Sequence, residues 1–529
     1  MTGSRTFPTC EPVDVVVIGT GAGGGNAIRE LCRNGVSVVA LEAGGRLDPE
    51  RDFENDEWTM FNRLTWSDPI LASGDLQAPP VWSCKTVGGS TVHWTGAALR
   101  AQPHELRARS HYGALEGAAT VDWPISFDDV LPWYEKAERL LGVTGRVQDL
   151  QTPNANYLAI KRGVDALGWT MRPNHLALNP VGVFDGRPAC TQRGHCMQGC
   201  SNKAMWSSLN EAIPKAEKTG WLELRTMCQA LTINVDSTGR ATGVTYARSD
   251  GTLEEQKAKV VVLAGNAIQS SRLLLNSTSP MFPDGLANGS GLVGHHYMHH
   301  VTGSSFALMP FPVHGYKGVI ATGLIDQFSG PDPGERDFVG GFNFATDFLG
   351  PGAMSIFAKP RSLIARPDSA QSWGAPLVEM MDTYTCLAGI HFFGEDVAQV
   401  DNRVSLHPTL RDAHGMPLPM LAYADHPNNA AMYRYASDRA TEIWRAAGAI
   451  RIYDAHFPDT HLLGTCRMGD DPEASVVNRY GQAHEVKNLF LADGSVFPTS
   501  TAENPTLTII ALALRQADYV LQQMATGDL

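Results

Sequence analysis

The sequence has little of what marks several large classes of protein. Its longest apolar stretch near the end, Thr508 to Leu514, stops at Arg515, far short of a membrane span. Nine cysteines in 529 residues are too few for a disulfide scaffold. Lys and Arg number 42 against 55 Asp and Glu, a net charge of −13, which argues against a nucleic-acid partner because phosphate binding needs a basic face. The first dozen residues contain no apolar region of a secretion signal.

What is present indicates a globular chain. Charged residues make up only 18% and hydrophobic residues 43%, so a sizeable core can be buried. Glycine accounts for 52 residues, above the usual share of about 7%. Such an excess indicates many backbone positions at positive φ or in close approach to another group.

The chain begins with a strand–helix–strand pattern, predicted over residues 14–18, 26–33 and 37–41. In a dinucleotide-binding turn the first glycine makes the bend, the second lets the backbone approach a pyrophosphate, and the third lets helix pack on strand. The glycines with this spacing are Gly19, Gly21 and Gly24. Glu42 ends the second strand, where a carboxylate can accept ribose hydroxyls and disfavours a 2′-phosphate. We therefore expect a dinucleotide cofactor.

Two further segments offer groups to a cofactor or substrate. A Gly-Gly-Ser-Thr loop supplies backbone donors and short acceptors for a ring edge or phosphate; its candidate binding residues are Gly88, Gly89, Ser90, His93 and Trp94. In the C-terminal block, His461 precedes Asn504 by 43 residues. Asn504 is a good N-cap type and Pro505 suits a first helical turn, so they open an amphipathic helix predicted to run to about Leu521.

Together these motifs resemble the glucose–methanol–choline (GMC) family of flavin oxidoreductases. The resemblance covers nearly the whole chain and is carried by the first unit, by residues 88–94, 260–277 and 293–300, and by the block from 461 onward. It implies FAD rather than NAD. It also implies an α/β fold, with a Rossmann-like FAD-binding domain and a second α+β substrate domain built on an antiparallel sheet.

The resemblance further implies that the FAD-binding domain is discontinuous in sequence. Its three expected parts are 10–150, which includes an inserted lid region at 46–82, then 216–300 and 460–529. The expected cysteine-cluster insertion covers 151–215, and the expected substrate-binding domain covers 301–459.

By the same resemblance, His461 stands at the family's active-site histidine and Asn504 at its paired His or Asn. Oxidation of an alcohol needs the O–H proton removed while hydride goes to flavin N5, and an imidazole suits a base near neutral pH. An Asn can orient the same hydroxyl without titrating. The remaining C-terminal residues that match flavin contacts are Asp493, Gly494, Pro505 and Thr506.

Two histidine features leave alternatives open. The His93 loop resembles the loop that carries a histidyl–flavin bond in pyranose 2-oxidase, although relatives with the same His-Trp pair bind FAD without that bond. Residues 293–300 contain four His within six residues and suggest a metal site. The family has a Gly-to-His loop at this point, so we expect a structural loop instead.

Three of the nine cysteines, Cys190, Cys196 and Cys200, lie within eleven residues. They are compatible with an Fe–S cluster, with a zinc site completed by His195, or with three free thiols. The segment resembles bacterial FAD-dependent sugar and polyol dehydrogenases of the family, whose equivalent cysteines hold a [3Fe–4S] cluster that passes electrons to a c-type cytochrome subunit. Thr191 stands where those enzymes have a further cysteine that is not a ligand.

We therefore predict an FAD-dependent dehydrogenase that oxidises a hydroxyl of a sugar, polyol or related alcohol to a carbonyl. Electrons would leave through the Fe–S cluster to a cytochrome or quinone. The alternatives are a pyranose-oxidase-like enzyme that reduces O2 to H2O2, a hydroxynitrile-lyase-like enzyme without redox chemistry, and a non-catalytic flavoprotein. A small companion subunit could export the enzyme to the periplasm, and a cytoplasmic enzyme is equally compatible.

Overall fold

The computed structural model describes residues 5–54, 56–64, 68–75, 83–330, 336–346, 374–455 and 460–529. Its strands are β1 Val13–Ile18, β2 Val38–Leu41, β3 Leu71–Gly74, β4 Arg172–Pro173, β5 Val183–Phe184, β6 Arg187–Pro188, β7 Leu222–Arg225, β8 Cys228–Val235, β9 Ala241–Arg248, β10 Leu253–Leu263, β11 Val301–Leu308, β12 Gly323–Ile325, β13 Phe342–Thr346, β14 Leu387–Gly394, β15 Arg403–Arg411, β16 Pro417–Tyr423, β17 Arg451–Ala455 and β18 Leu489–Leu491. Its α-helices are α1 Ala22–Arg33, α2 Pro49–Asp52, α3 Glu57–Leu64, α4 Ala108–Tyr112, α5 Phe127–Leu141, α6 Ala155–Ala166, α7 Ile213–Lys218, α8 Ala267–Asn276, α9 Ala375–Thr383, α10 Pro427–Ala447 and α11 Thr506–Thr526.

The first sheet has seven strands in the order β7-β2-β1-β10-β9-β8, with β18 beside the last residues of β10. Strands β7, β2, β1, β18 and the second half of β10 run parallel. The first half of β10 pairs antiparallel with β9. Burial along β10 follows this division, alternating at first and then continuous from Val260 to Leu263. Strands buried on both faces by flanking helices need continuous apolar sequence, which is what β1 also has.

Helix α1 starts at Ala22, four residues earlier than the sequence pattern predicted. Residues 23–25 in its first turn are glycines. The start of the helix packs closely against backbone at Gly19 and at Ala492. A Cβ at Gly24 would lie 2.1 Å from the carbonyl oxygen of Gly19, so only glycine allows this helix–strand contact. The glycine-rich turn therefore belongs partly to the helix, and its free N–H groups face the carboxyl ends of the parallel strands.

The second large sheet has six strands in the order β17-β11-β14-β13-β12-β4, and its pairings are antiparallel. Helices α6 and α10 pack on it and share one apolar core with it. The sequence-based prediction of a second unit built on an antiparallel sheet is therefore confirmed. Strand β4 joins this sheet from outside residues 301–459, and the predicted domain boundaries themselves stay predictions.

Smaller elements complete the described part of the chain. Strands β15, β16 and β3 form a three-stranded sheet, and β5 and β6 form a hairpin just before the cysteine segment. Within the described ranges, no helix combines the length and the hydropathy that crossing a bilayer requires.

Candidate active site

A cavity of about 310 Å³ lies where the two large sheets meet. Its walls come from the turn after β1, the end of β2, the loop at residues 83–97, the start of α8 and the segments that precede α11. In an open α/β sheet, ligands bind at the carboxyl ends of the parallel strands, which is where this cavity opens. Phe393 on β14 contributes a wall from the antiparallel sheet.

The two glycine loops that were predicted separately form one cradle at the cavity. At Gly21 the nearest atom to an added Cβ would be the Cα of Gly89, 4.0 Å away, so the Gly21 backbone faces open space. Gly89 has φ +51° and its own Cβ would come within 3.0 Å of Gly21 Cα. Bare backbone of this kind lets a dinucleotide's phosphates approach N–H groups closely.

Glu42 holds this cradle together. Its carboxylate accepts hydrogen bonds from the backbone N–H of Thr20 (3.1 Å), the hydroxyl of Thr20 (2.7 Å) and the N–H of Gly44 (2.9 Å). The Thr20 hydroxyl in turn accepts from the N–H of Gly88 at 3.1 Å. Burial raises the pKa of Glu42, and these hydrogen bonds oppose the rise. Thr20, which the sequence analysis missed, thus links Glu42 to both glycine loops.

Asp493 organises the middle of the cavity. One of its carboxylate oxygens accepts from the backbone N–H of Asn266 at 3.0 Å and from the Ser270 hydroxyl, and the other accepts from the N–H of Ser495 at 2.9 Å. Asn266 is the N-cap of α8. Asp493 therefore fixes the start of α8 against the segment that leads to α11, and both elements line the cavity.

At one end of the cavity, His461 lies between two polar side chains. Its Nε2 is 3.4 Å from the amide nitrogen of Asn504, and its Nδ1 is 2.8 Å from Nδ1 of His300. The ring of Phe393 lies 5.3 Å from the His461 ring. The His461 backbone is left-handed, with φ +65°. Residues held in such sparsely populated conformations cluster at functional sites, where the surrounding structure enforces them.

Burial decides the protonation states of the cavity histidines. It lowers the pKa of His461 well below 6.5, and the neighbouring His300 and His299 lower it further. The pKa of His93 falls to about 4 and that of His300 to about 4, for the same reason of burial. All three rings are thus neutral near pH 7. A neutral imidazole is the form that can accept a proton.

The helix start at Asn504 differs from the prediction. The N-cap of α11 is Pro505, whose ring makes no capping hydrogen bond, and Asn504 does not cap the helix. Its amide instead contacts His461. An Asn amide could cap with its oxygen and donate with its nitrogen at the same time, but in this structure only the contact with His461 is made.

Most of the predicted site residues line the cavity. Those that do, besides His461 and Asn504, are Gly19, Gly21, Glu42, Gly89, Ser90, His93, Trp94, Asp493, Gly494, Pro505 and Thr506. Gly24 and Gly88 do not line the cavity. They lie next to residues that do, and they allow close backbone packing there. The individual roles of these residues stay predictions.

The cysteine segment lies behind Trp94. Cys190, Cys196 and Cys200 are half-buried and pack against one apolar cluster, together with the Trp94 ring. The Cys200 sulfur accepts from the N–H of Met205 at 3.4 Å, and the Cys190 sulfur accepts from the N–H of Gln192 at 3.3 Å. Burial raises the pKa of both thiols.

The spacing of these ligands bears on the metal that they fit. Across the described ranges, no three ligand atoms drawn from these cysteines and His195 lie within 4.8 Å of one another. A tetrahedral zinc site with Zn–S bonds of about 2.3 Å needs closer convergence. A cluster of several irons takes its thiolates at separate irons, so it does not need that convergence. Within the described ranges the arrangement is therefore not that of a single zinc site, and the [3Fe–4S] cluster stays a prediction.

Three contributors are not among the site residues that the sequence predicts. The sequence predicts a structural loop around His300, Thr20 lies between the motif glycines, and Met197 reaches the cavity wall from the cysteine segment. The four-histidine pattern at residues 293–300 was the one available signal for His300. Nothing local in the sequence indicated that this loop lies against His461, 161 residues away.

The geometry thus defines a dinucleotide-binding fold with a His–Asn pair at one end of its cavity. Comparison with known proteins gives the family. The GMC oxidoreductase family matches twice, at residues 23–302 and 398–513. The chain therefore belongs to the GMC oxidoreductase family.

Curated relatives match nearly the whole length of the chain. The 2-methyl-1,2-propanediol dehydrogenase of Mycolicibacterium austroafricanum is 32% identical and covers 98% of this chain and 96% of its own. The paromamine 6′-oxidase of Streptomyces fradiae is 31% identical, and the match covers 98% of this chain and 92% of the oxidase. The fructose dehydrogenase large subunit of Gluconobacter japonicus is 29% identical, and the match covers 97% of this chain and 98% of that subunit.

Solved structures agree on the fold. Pyridoxine 4-oxidase from Mesorbium loti superposes with a TM-score of 0.63 at 16% identity, covering 96% of this chain and 99% of that one. A formate oxidase from Aspergillus oryzae superposes with a TM-score of 0.64 at 14% identity, and the match covers 99% of this chain and 100% of that one. The chain is thus an FAD-binding oxidoreductase that acts on alcohol groups, with dehydrogenases and oxidases among its relatives.

Proposed function

We propose that this chain is a dehydrogenase that oxidises the hydroxyl of a neutral alcohol, diol or sugar to a carbonyl and passes the electrons to a partner rather than to O2. The observation that carries the proposal is the His461–Asn504 pair at the end of a cavity whose other walls are the glycine cradle and Glu42. This arrangement supports one cofactor site and one adjacent substrate site.

The chemistry of the substrate follows from what this chain's side chains do. When bound, FAD supplies the hydride acceptor at N5. His461, neutral because it is buried, takes the hydroxyl proton on Nε2. Asn504 lies 3.4 Å from that nitrogen, so both side chains can contact one substrate oxygen. Loss of the proton and of a hydride from the neighbouring carbon leaves the carbonyl product.

The environment of His461 supports a neutral substrate. The Phe393 ring packs against it and Thr460 lies beside it on the cavity wall. Burial of this kind strengthens the hydrogen bonds that position a hydroxyl and disfavours a charged group. The printed names of the relatives, a diol dehydrogenase and sugar-acting enzymes, are compatible with this class.

The cysteine segment supports the dehydrogenase over the oxidase. An Fe–S cluster, when bound by Cys190, Cys196 and Cys200, supplies a one-electron outlet, and we propose [3Fe–4S] as its type. Trp94 lines the cavity and also packs against the apolar cluster that holds these thiols, so the two sites are adjacent. We further propose a c-type cytochrome or quinone acceptor and a small companion subunit, because the Gluconobacter japonicus relative is named a large subunit.

The first experiment tests the alcohol chemistry. The purified holoenzyme is mixed anaerobically with a panel of 1,2-diols, polyols and sugars, and bleaching of the flavin absorbance is followed. A lyase or a non-catalytic flavoprotein would leave the flavin oxidised with every alcohol. Replacement of His461 by Ala should slow flavin reduction by about 10² to 10⁴-fold if it is the base.

The second experiment tests the electron outlet. The reduced enzyme is reoxidised either by O2 or by an artificial one-electron acceptor, and iron and zinc are measured. We expect about three irons per chain, fast reaction with the artificial acceptor and slow reaction with O2. Cys200→Ser should remove the iron and slow reoxidation by the acceptor while flavin reduction persists.

Cys386→Ser is the matched control, since Cys386 is also half-buried but packs in a separate cluster with Leu308 and Tyr384. Fast H2O2 formation by an iron-free enzyme would instead establish the oxidase. Colour that stays with the acid-precipitated protein would show that FAD is bonded covalently, as the resemblance of the His93 loop allows.

A further inference from the structure

His300 is buried and makes a hydrogen-bond chain that reaches the base of the proposed reaction. Its Nε2 lies 3.4 Å from the backbone carbonyl oxygen of Ser500, and its Nδ1 lies 2.8 Å from Nδ1 of His461. On the far side of His461, Nε2 faces the Asn504 amide at 3.4 Å. The Ser500 carbonyl and the side chains of His300, His461 and Asn504 are thus connected in series.

The Ser500 carbonyl determines which atom donates at each step of this run of hydrogen bonds. A backbone C=O can only accept, so His300 carries its ring hydrogen on Nε2. In a neutral imidazole the other nitrogen is then the acceptor. Burial lowers the pKa of His300 to about 4, so the ring is neutral at ordinary pH.

The same logic continues through His461. Because His300 Nδ1 accepts, the hydrogen between the two rings belongs to Nδ1 of His461. Nε2 of His461 is then the unprotonated nitrogen, and its lone pair faces Asn504 and the cavity. The opposite arrangement would place the lone pair of His300 Nε2 against the lone pairs of the Ser500 carbonyl.

We infer that His300 is a positioning residue that fixes His461 in the tautomer with a free Nε2, anchored by the Ser500 carbonyl; this rests on the proposed role of His461 as base. When the substrate O–H proton moves to Nε2, the resulting imidazolium keeps its Nδ1–H bond to the neutral His300. His300 itself gains no proton, because its remaining nitrogen already carries one and faces a carbonyl. Orienting groups of this kind act in other enzymes by holding a catalytic histidine in one tautomer.

The test compares two substitutions of similar size. His300→Asn places an amide oxygen near the position of Nδ1 and can still accept from His461, whereas His300→Leu cannot. His296→Asn is the control, since His296 is a buried histidine of the same loop whose ring lies by Arg467. The rate constant for anaerobic flavin reduction and the substrate Kd are measured for each variant at matched FAD content.

We expect His300→Leu to lower the rate constant by about 10- to 100-fold with little change in Kd, and His300→Asn to recover it to within about threefold of the wild type. Equal slowing by both substitutions would assign His300 to ring packing alone and overturn the inference. Wild-type rates in His300→Leu would overturn it as well.

A second readout needs neither substrate nor FAD. In the apoprotein with 15N-labelled histidine, the His461 ring signals, assigned by their loss in His461→Gln, report which nitrogen carries the hydrogen. We expect Nε2 unprotonated in the wild type and in His300→Asn, and a mixture of tautomers in His300→Leu. A protonated Nε2 in the wild type overturns the inference even if His300→Leu fails to fold. If His461→Ala reduces flavin at the wild-type rate, the proposed base role fails, and the tautomer measurement still stands separately.

Discussion

Gly23 is the residue at which a single methyl group should do most harm to the cofactor site. A Cβ built there lies 1.6 Å from the carbonyl oxygen of Ala492 and 3.2 Å from Cγ2 of Ile509. Real contacts of this type are not shorter than 3.0 Å, so α1 and the segment after β18 must separate by about 1.4 Å. Both are parts of the cavity wall or directly behind it.

The cost follows from close packing. Overpacking a close-packed interior costs about 1–3 kcal/mol, and the upper end or more applies here because the obstacle is backbone rather than a flexible side chain. We therefore expect Gly23→Ala to lower the free energy of unfolding by about 3 kcal/mol and to reduce FAD retention.

The assay is thermal unfolding together with the ratio of flavin to protein absorbance after gel filtration. Gly45→Ala is the control, because its Cβ would meet only the Met227 sulfur at an ordinary 3.7 Å. If Gly23→Ala retained full FAD and unfolded within about 1 °C of Gly45→Ala, the packing argument would be refuted.

Two further predictions concern ionisable groups at the site. Burial lowers the pKa of His461. Its Nε2 therefore takes up a proton from solvent only at pH values well below 6.5. The rate constant for flavin reduction, measured by anaerobic stopped flow, should therefore stay level between about pH 6 and 8; a half-loss near pH 6.5 would contradict the burial argument. Replacing Glu42 by Gln removes the charge that accepts from Thr20 and Gly44 and that faces the proposed ribose site. We expect about 10- to 100-fold weaker FAD binding in fluorescence titrations of the apoprotein, and an unchanged Kd would exclude Glu42 as a ribose ligand.

Local motifs were enough to predict the fold class and most of the cavity wall. The glycine spacing at Gly19, Gly21 and Gly24 and the acid at Glu42 fix a strand–turn–helix–strand unit, because each residue answers a steric or electrostatic need within about 30 residues. The family match and the two large sheets confirm that part of the prediction. His461 and Asn504 could be named because they stand in a recognisable C-terminal block.

What was missed depends on contacts between distant segments. The start of α1 was placed too late because a run of glycines predicts no helix on propensity, and only contacts with Ala492 and Gly19 explain it. Asn504 was expected to cap α11, since capping is a local preference, and its contact with His461 spans 43 residues. The cysteine spacing left an Fe–S cluster, a zinc site and three free thiols open, and only the folded structure shows that, within the described ranges, these cysteines and His195 do not converge on one point.

The sequence by itself determined that this chain builds a dinucleotide site, because that chemistry is written in short-range glycine and carboxylate spacing. Only the tertiary structure decided that the two glycine loops form one cradle and that His300 lies against His461. Those relations arise from how two sheets pack around a cavity, and packing between remote segments leaves no periodic trace along a single chain.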